Sequence, residues 1–173
     1  IASIHTVLNG ATEEDTFVFY FSGHGGKNCL VLSDSLIDLQ DLIDTIEQIQ
    51  TRNKIVILDS CHSGGFALAG VPEIDIDETV EHFAGRGFAV LASCGVEQFS
   101  GFNDDRGISL YTSFVCDALT SHFLIRQGKK SLETINEAIF RFAEVSNQKS
   151  GRNFQQPIFR SSIGGTVFFD VEE

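Results

Sequence analysis

Two side chains in this sequence can carry covalent chemistry near neutral pH, and each stands at a glycine-rich break after an apolar run. Cys61 follows Lys54-Ile55-Val56-Ile57-Leu58-Asp59-Ser60 and leads into His62-Ser63-Gly64-Gly65, while His24 follows Phe17-Val18-Phe19-Tyr20-Phe21-Ser22-Gly23 and leads into Gly25-Gly26. A thiolate is a strong nucleophile, although an isolated thiol ionises only near pH 8.5. An imidazole beside it favours the thiolate and can then protonate a leaving amine. The attacked carbonyl also needs donors for its developing charge, and the backbone N–H groups of Gly25 and Cys61 are candidates for that oxyanion hole. Taken singly, His24 reads as a loop histidine and Cys61 as a structural thiol. Their shared setting is what points to catalysis.

His62 is a rival base, but side chains of adjacent residues tend to diverge, which favours His24. A metal centre on His24, Cys61 and His62 is poorly spaced, and no metal is expected. His5, His82 and His122 have no constellation around them, and Cys29, Cys94 and Cys116 read as packing residues.

The elements that must position this pair can be read from hydropathy. Residues 16–22 and 54–59 are continuous apolar runs of the kind covered on both faces of a sheet, and residues 87–93 form a third. Residues 29–33 suit a short strand or hairpin arm, and 166–169 a last strand. Residues 38–50 place Leu39, Leu42, Ile43, Ile46 and Ile49 on one helical stripe, with Asp38 as N-cap. Residues 109–121 and 131–145 repeat that periodicity, the second with Ser131 as N-cap. Such alternation implies an α/β fold with a mostly parallel sheet and helices on both faces. Ligands bind beyond the carboxyl ends of strands in such sheets. His24 and Cys61 are expected just past two such ends, on one edge if their strands are neighbours.

Composition sets outer bounds. The 173 residues suit a single domain, 1–173, with 42% hydrophobic and 21% charged residues. The chain starts at Ile1 and contains no Met, so a truncated or processed start is expected. A net charge of −12 argues against nucleic acid as the main partner and is compatible with a basic peptide, or simply with solubility. No apolar run reaches the roughly 18 residues of a membrane helix, so no membrane partner is expected. Four cysteines without CxxC spacing fit a reducing, cytoplasmic setting better than a disulfide framework.

The pair Phe21-Ser22-Gly23-His24-Gly25-Gly26 and Leu58-Asp59-Ser60-Cys61-His62-Ser63-Gly64-Gly65, with 37 positions from His24 to Cys61, resembles the paired motifs of metacaspases and their bacterial relatives, the orthocaspases. The resemblance runs from about residue 10 to the end and implies a caspase-like three-layer sandwich, whose usual first strand is not visible in this chain. It implies a cysteine endopeptidase with Cys61 as nucleophile and His24 as acid/base, of a kind involved in programmed cell death. Asp59 then matches the acidic residue that pairs with Arg or Lys before the scissile bond (P1), and Ser93 would line the same pocket. As a turn residue, Asp59 would instead bond its own loop. Glu97, Asp104 and Asp105 are further acidic candidates.

No cofactor is required by this reading, although calcium activation is compatible with it. Residues 73–81 carry five carboxylates, as a solvated loop or a calcium-responsive segment. The expected partner is a polypeptide substrate, with a regulatory domain or subunit outside the chain as a further option. Three alternatives remain. Asp specificity would need a cation such as Arg86 or Arg106. The chain could be a latent peptidase domain of a larger defence or cell-death protein, or a non-catalytic caspase-like adaptor.

Overall fold

Three apolar segments pair side by side; 54–59 and 88–92 are covered on both faces as expected, whereas 16–22 is covered on one face only and leaves Val18 and Tyr20 47% exposed on the other. The computed structural model describes residues 4, 6, 9–26, 29–61, 87–93, 101–122, 125–151 and 155–171. Strand β1 spans Thr16–Gly26, β4 Asn53–Cys61 and β5 Phe88–Ala92, and the three run parallel. Around them lie shorter antiparallel strands: β2 (Cys29–Val31) on β1, β3 (Leu36–Asp38) on β2, and β9 (Ile158–Ser161) on β5. The six-stranded order is β3-β2-β1-β4-β5-β9. Strands β6 (Phe102–Asn103) and β7 (Ile108–Ser109) make one small hairpin, and β8 (Lys129–Ser131) pairs with β10 (Phe168–Asp170).

Strand alternation sends successive side chains to opposite faces. On one face Val56, Leu58, Val90 and Ala92, with Phe17, Phe19 and Phe21, pack on helix α1 (Leu39–Glu47) through Leu39, Leu42, Ile43 and Ile46. On the other, Ile55, Ile57, Ala89 and Leu91 meet α2 (Leu110–Thr120) and α3 (Leu132–Ser150) through Tyr111, Phe114, Ala118, Ile135 and Ile139. The expected α/β sandwich is therefore present. Each fully buried aliphatic or aromatic side chain contributes about 1.5–3 kcal/mol. That exceeds the ~1 kcal/mol of an N-cap, so the two apolar layers dominate.

The caps decide where each helix starts. Asp38 accepts from the N–H groups of Gln40 (2.8 Å) and Asp41 (3.2 Å), as expected from its position. Ser131 accepts from Thr134 N–H at 3.1 Å, and Ser109 from Thr112 N–H at 3.0 Å. Helix α3 continues beyond the expected residue 145 to Ser150 and stops at Gly151, whose φ of 64° is the left-handed conformation of a helix C-cap. The residues before it, Asn147-Gln148-Lys149-Ser150, are polar, so the apolar stripe ends before the helix does.

Lys130 is a buried cation, 1% exposed, beneath the end of α2. Its ammonium donates to the carbonyls of Ala118 (2.8 Å), Leu119 (3.3 Å) and Ser121, and to Ser121 Oγ (3.2 Å). These are the carbonyls that a helix C-terminus leaves without intrahelical partners, and positive charge is favoured there. Burial nevertheless pushes the Lys130 pKa down.

Candidate active site

The strands place the backbones of the two candidate catalytic residues. The parallel β1–β4 ladder runs from Thr16 opposite Asn53 to His24 opposite Cys61, without a break. Both residues were expected just beyond their strands, in loops; both lie within them. The reason is pairing: each continues the other's ladder, and β2 returns antiparallel so that His24, Gly25 and Gly26 sit opposite Val31, Leu30 and Cys29. His24 is exposed. Gly23, just before it, lies under the Phe21 ring, with 2.9 Å between Phe21 Cζ and the place a Cβ would occupy. A side chain there would displace the ring that packs towards α1.

Asp59, two residues before Cys61, is 2% exposed. Its Oδ2 accepts from three hydroxyls: Ser109 and Thr112 at close range, and Ser22, its register partner on β1, at 3.4 Å. Thr112 Oγ1 lies 2.6 Å from the Tyr20 hydroxyl. Since the Thr112 proton goes to the carboxylate, Tyr20 is the donor in that second bond. Ser109 does two jobs, capping α2 through Thr112 N–H and donating to Asp59. The positive end of the α2 dipole thus faces the carboxylate. Asp59 Oδ1 is also buried but has no hydrogen-bond partner among the described residues. A buried acceptor left unpaired costs stability.

Sequence reading missed Ser109, Thr112 and Tyr20. Ser109 precedes an apolar helical run, which signals a cap and nothing more; Thr112 and Tyr20 sit inside apolar segments. Only the packing of α2 on the sheet brings them to Asp59.

A protein-family model, described as the caspase domain of a peptidase family, matches residues 2–168. The chain belongs to the caspase-domain family. It is thus a cysteine-type peptidase by family, a hydrolase of peptide bonds. No curated protein matches it significantly.

The other residues singled out from the caspase-domain sequence fall as follows. Ser93 is fully buried after β5, and its hydroxyl donates to Ser60 O at 3.2 Å while its N–H donates to Leu58 O at 3.0 Å. It therefore ties β5 to the end of β4 beside Asp59. Arg106 is bound to α2: its guanidinium meets Asp117 at 2.7 Å and reaches Ser113 O at 3.5 Å. Asp104 and Asp105 are exposed in the turn between β6 and β7. Cys29 is half-buried, whereas Cys116, expected to pack, is exposed on α2. His122 is exposed. His5, His62, His82, Arg86, Cys94, Glu97 and the acidic segment 73–81 lie outside the described residues, as does the side chain of Cys61. Among the described residues no group of three His, Cys, Asp or Glu could hold a metal ion, and no helix is long and apolar enough to cross a membrane.

Proposed function

We propose that this caspase-family chain is a cysteine endopeptidase that cleaves after Arg or Lys, with Cys61 as nucleophile and His24 as acid/base. The observation that carries this reading is the register. His24 and Cys61 are paired at the last rung of two neighbouring parallel strands, with the buried Asp59 carboxylate two residues upstream.

The thiolate of Cys61 attacks the scissile carbonyl carbon, forming a C–S bond and an oxyanion stabilised by the N–H groups of Gly25 and Cys61. Collapse of that intermediate breaks the C–N bond, and the His24 imidazolium gives its proton to the departing amine. A water molecule, deprotonated by His24, then attacks the thioester. The acid product leaves, and the thiolate returns.

The Asp59 carboxylate would receive the basic side chain before the scissile bond, since Oδ1 is an acceptor in need of a donor. Ser93 supports that position by fixing the end of β4. Asp specificity would need Arg86, which lies outside the described residues, or Arg106, which is engaged with Asp117. Activation by calcium, a cytoplasmic setting and regulation by a domain outside the chain are part of the same proposal.

The test is hydrolysis of fluorogenic peptides with Arg, Lys or Asp before the scissile bond, with and without calcium, by the unsubstituted protein and by Cys61→Ala and His24→Ala. Cleavage after Arg or Lys that disappears in both variants is expected. Cleavage after Asp alone would discard the role of Asp59, and cleavage surviving Cys61→Ala would discard the mechanism.

A further inference from the structure

A carboxylate can meet a guanidinium with both oxygens, as a fork, or with one oxygen only. The two oxygens of Asp59 are unequal. Oδ2 accepts from Ser22, Ser109 and Thr112, and Thr112 is itself held by Tyr20; Oδ1 has no partner among the described residues. Three donors leave Oδ2 no capacity for a fourth.

We infer that Thr112 and Ser109, with Tyr20 behind Thr112, are positioning residues that set P1 selectivity: they occupy Oδ2 of Asp59 and leave Oδ1 as the carboxylate oxygen without a partner among the described residues, to meet the substrate's cation. The inference rests on the Asp59 reading proposed above. With only one carboxylate oxygen unpaired among the described residues, and that one buried, the guanidinium of Arg cannot form its two-pronged pair even once it has displaced what covers the site. It gains little over the ammonium of Lys, a point charge that needs only one acceptor. The hydroxyls therefore keep the enzyme tolerant of both basic residues. The same bonds hold the carboxylate in one orientation, so the cation meets an acceptor already aimed.

The arrangement also explains why these positions carry hydroxyls at all. Ser109 could cap α2 as Asn or Asp, but either would set a second acceptor or a second negative charge against Asp59. Thr112 lies in the first turn of α2, where its backbone needs nothing from its side chain except contact. Its Oγ1 is spent on the carboxylate and is supplied with a proton by Tyr20, a residue on a different strand from Asp59.

The experiment compares kcat/KM for two fluorogenic peptides that differ only in Arg or Lys before the scissile bond. Thr112→Val removes one donor from Oδ2 at nearly constant volume. A freed Oδ2 can take a second guanidinium N–H, whereas an ammonium gains nothing and loses the aimed carboxylate. The expected result is a fall of about tenfold for the Lys peptide, the size of one hydrogen bond to a charged group, a smaller fall for the Arg peptide, and so a clear rise in the Arg-to-Lys ratio. Thr112→Ser restores the hydroxyl and returns the ratio to its original value. Should Thr112→Val fail to fold, Ser109→Gly carries the same test, since glycine caps a helix almost as well as serine.

A merely structural role lowers both peptides equally and leaves the ratio unchanged; that outcome overturns the inference. Asp59→Asn separates this failure from failure of the pocket reading. If Asp59→Asn abolishes cleavage after Arg and Lys while the Thr112 ratio stays flat, only the clamp is wrong. If Asp59→Asn cleaves both peptides normally, or the unsubstituted protein cleaves neither with or without calcium, the pocket and the clamp both fall.

Discussion

The Cα positions of His24 and Cys61 face each other across the last rung of the β1–β4 ladder. Two residues distant in sequence are thereby made neighbours by main-chain hydrogen bonding, with no loop to place either of them. Parallel strands carry evenly spaced bonds, so this rung is held by every rung before it. On the proposed mechanism, replacing either residue with Ala should leave thermal unfolding almost unchanged and lower peptidase activity by about a thousandfold or more, because residues that act as a catalytic unit fail together. The double variant should be no worse than the more damaging single one, which steady-state kinetics on all three proteins will check.

Gly23 tests how far that rung depends on its surroundings. A Cβ there would stand 2.9 Å from Phe21 Cζ, and the ring packs towards the core beneath α1. Gly23→Ala should cost about 1–3 kcal/mol, as overpacking does. Adding Phe21→Leu, which shortens the offending side chain, should recover part of the loss. Urea midpoints of the two proteins decide it; equal midpoints would mean the ring moves aside freely.

Asp59 should separate stability from function. In Asp59→Asn the amide oxygen can take the place of Oδ2 and still accept from Ser22, Ser109 and Thr112. Stability is then expected to change by no more than about 1 kcal/mol while cleavage after Arg or Lys is lost. Asp59→Ala strands the hydroxyls without an acceptor and should destabilise by about 1–3 kcal/mol. Denaturant unfolding of both variants, beside their peptide kinetics, makes the comparison.

Lys130 predicts a pH dependence. Its pKa is lowered by burial from the ordinary 10.5, so between the folded and unfolded values the unfolded chain binds more protons. Its contribution to stability is therefore smallest below the folded value and grows as pH rises towards 10.5. Lys130→Met, which also leaves the Ala118, Leu119 and Ser121 carbonyls without their donor, should be destabilised by about 2–3 kcal/mol near neutral pH. The difference between the two proteins, followed by denaturant unfolding from pH 7 upward, should widen. A difference that narrows with pH would refute the burial argument.

Much of the scaffold was readable in advance because it rests on periodicity. The apolar runs at 16–22, 54–59 and 87–93 became β1, β4 and β5, and the stripe from Leu39 to Ile46 became α1 capped by Asp38. Less was readable where structure depends on distant partners. β9, with Arg160 and Ser161 in a four-residue strand, has no apolar pattern and exists because β5 offers it an antiparallel edge. The strand ends at His24 and Cys61 were obscured because glycine and serine signal turns, while a paired ladder holds them extended. The hydroxyls around Asp59 were invisible for a similar reason: Tyr20 on β1 and Ser109 and Thr112 at the start of α2 come from two distant stretches of chain that converge only after α2 docks.

The β1–β4 register also bears on how errors are caught while the chain folds. Side chains alternate with a period of two, so a slip of one residue turns Phe17, Phe19 and Phe21 away from α1 and pairs His24 with Ser60. The same slip that parts His24 from Cys61 would expose three aromatic rings to water. A misaligned chain would thus carry its error as exposed apolar surface, and the water around those rings favours unzipping and pairing again over staying in the wrong register.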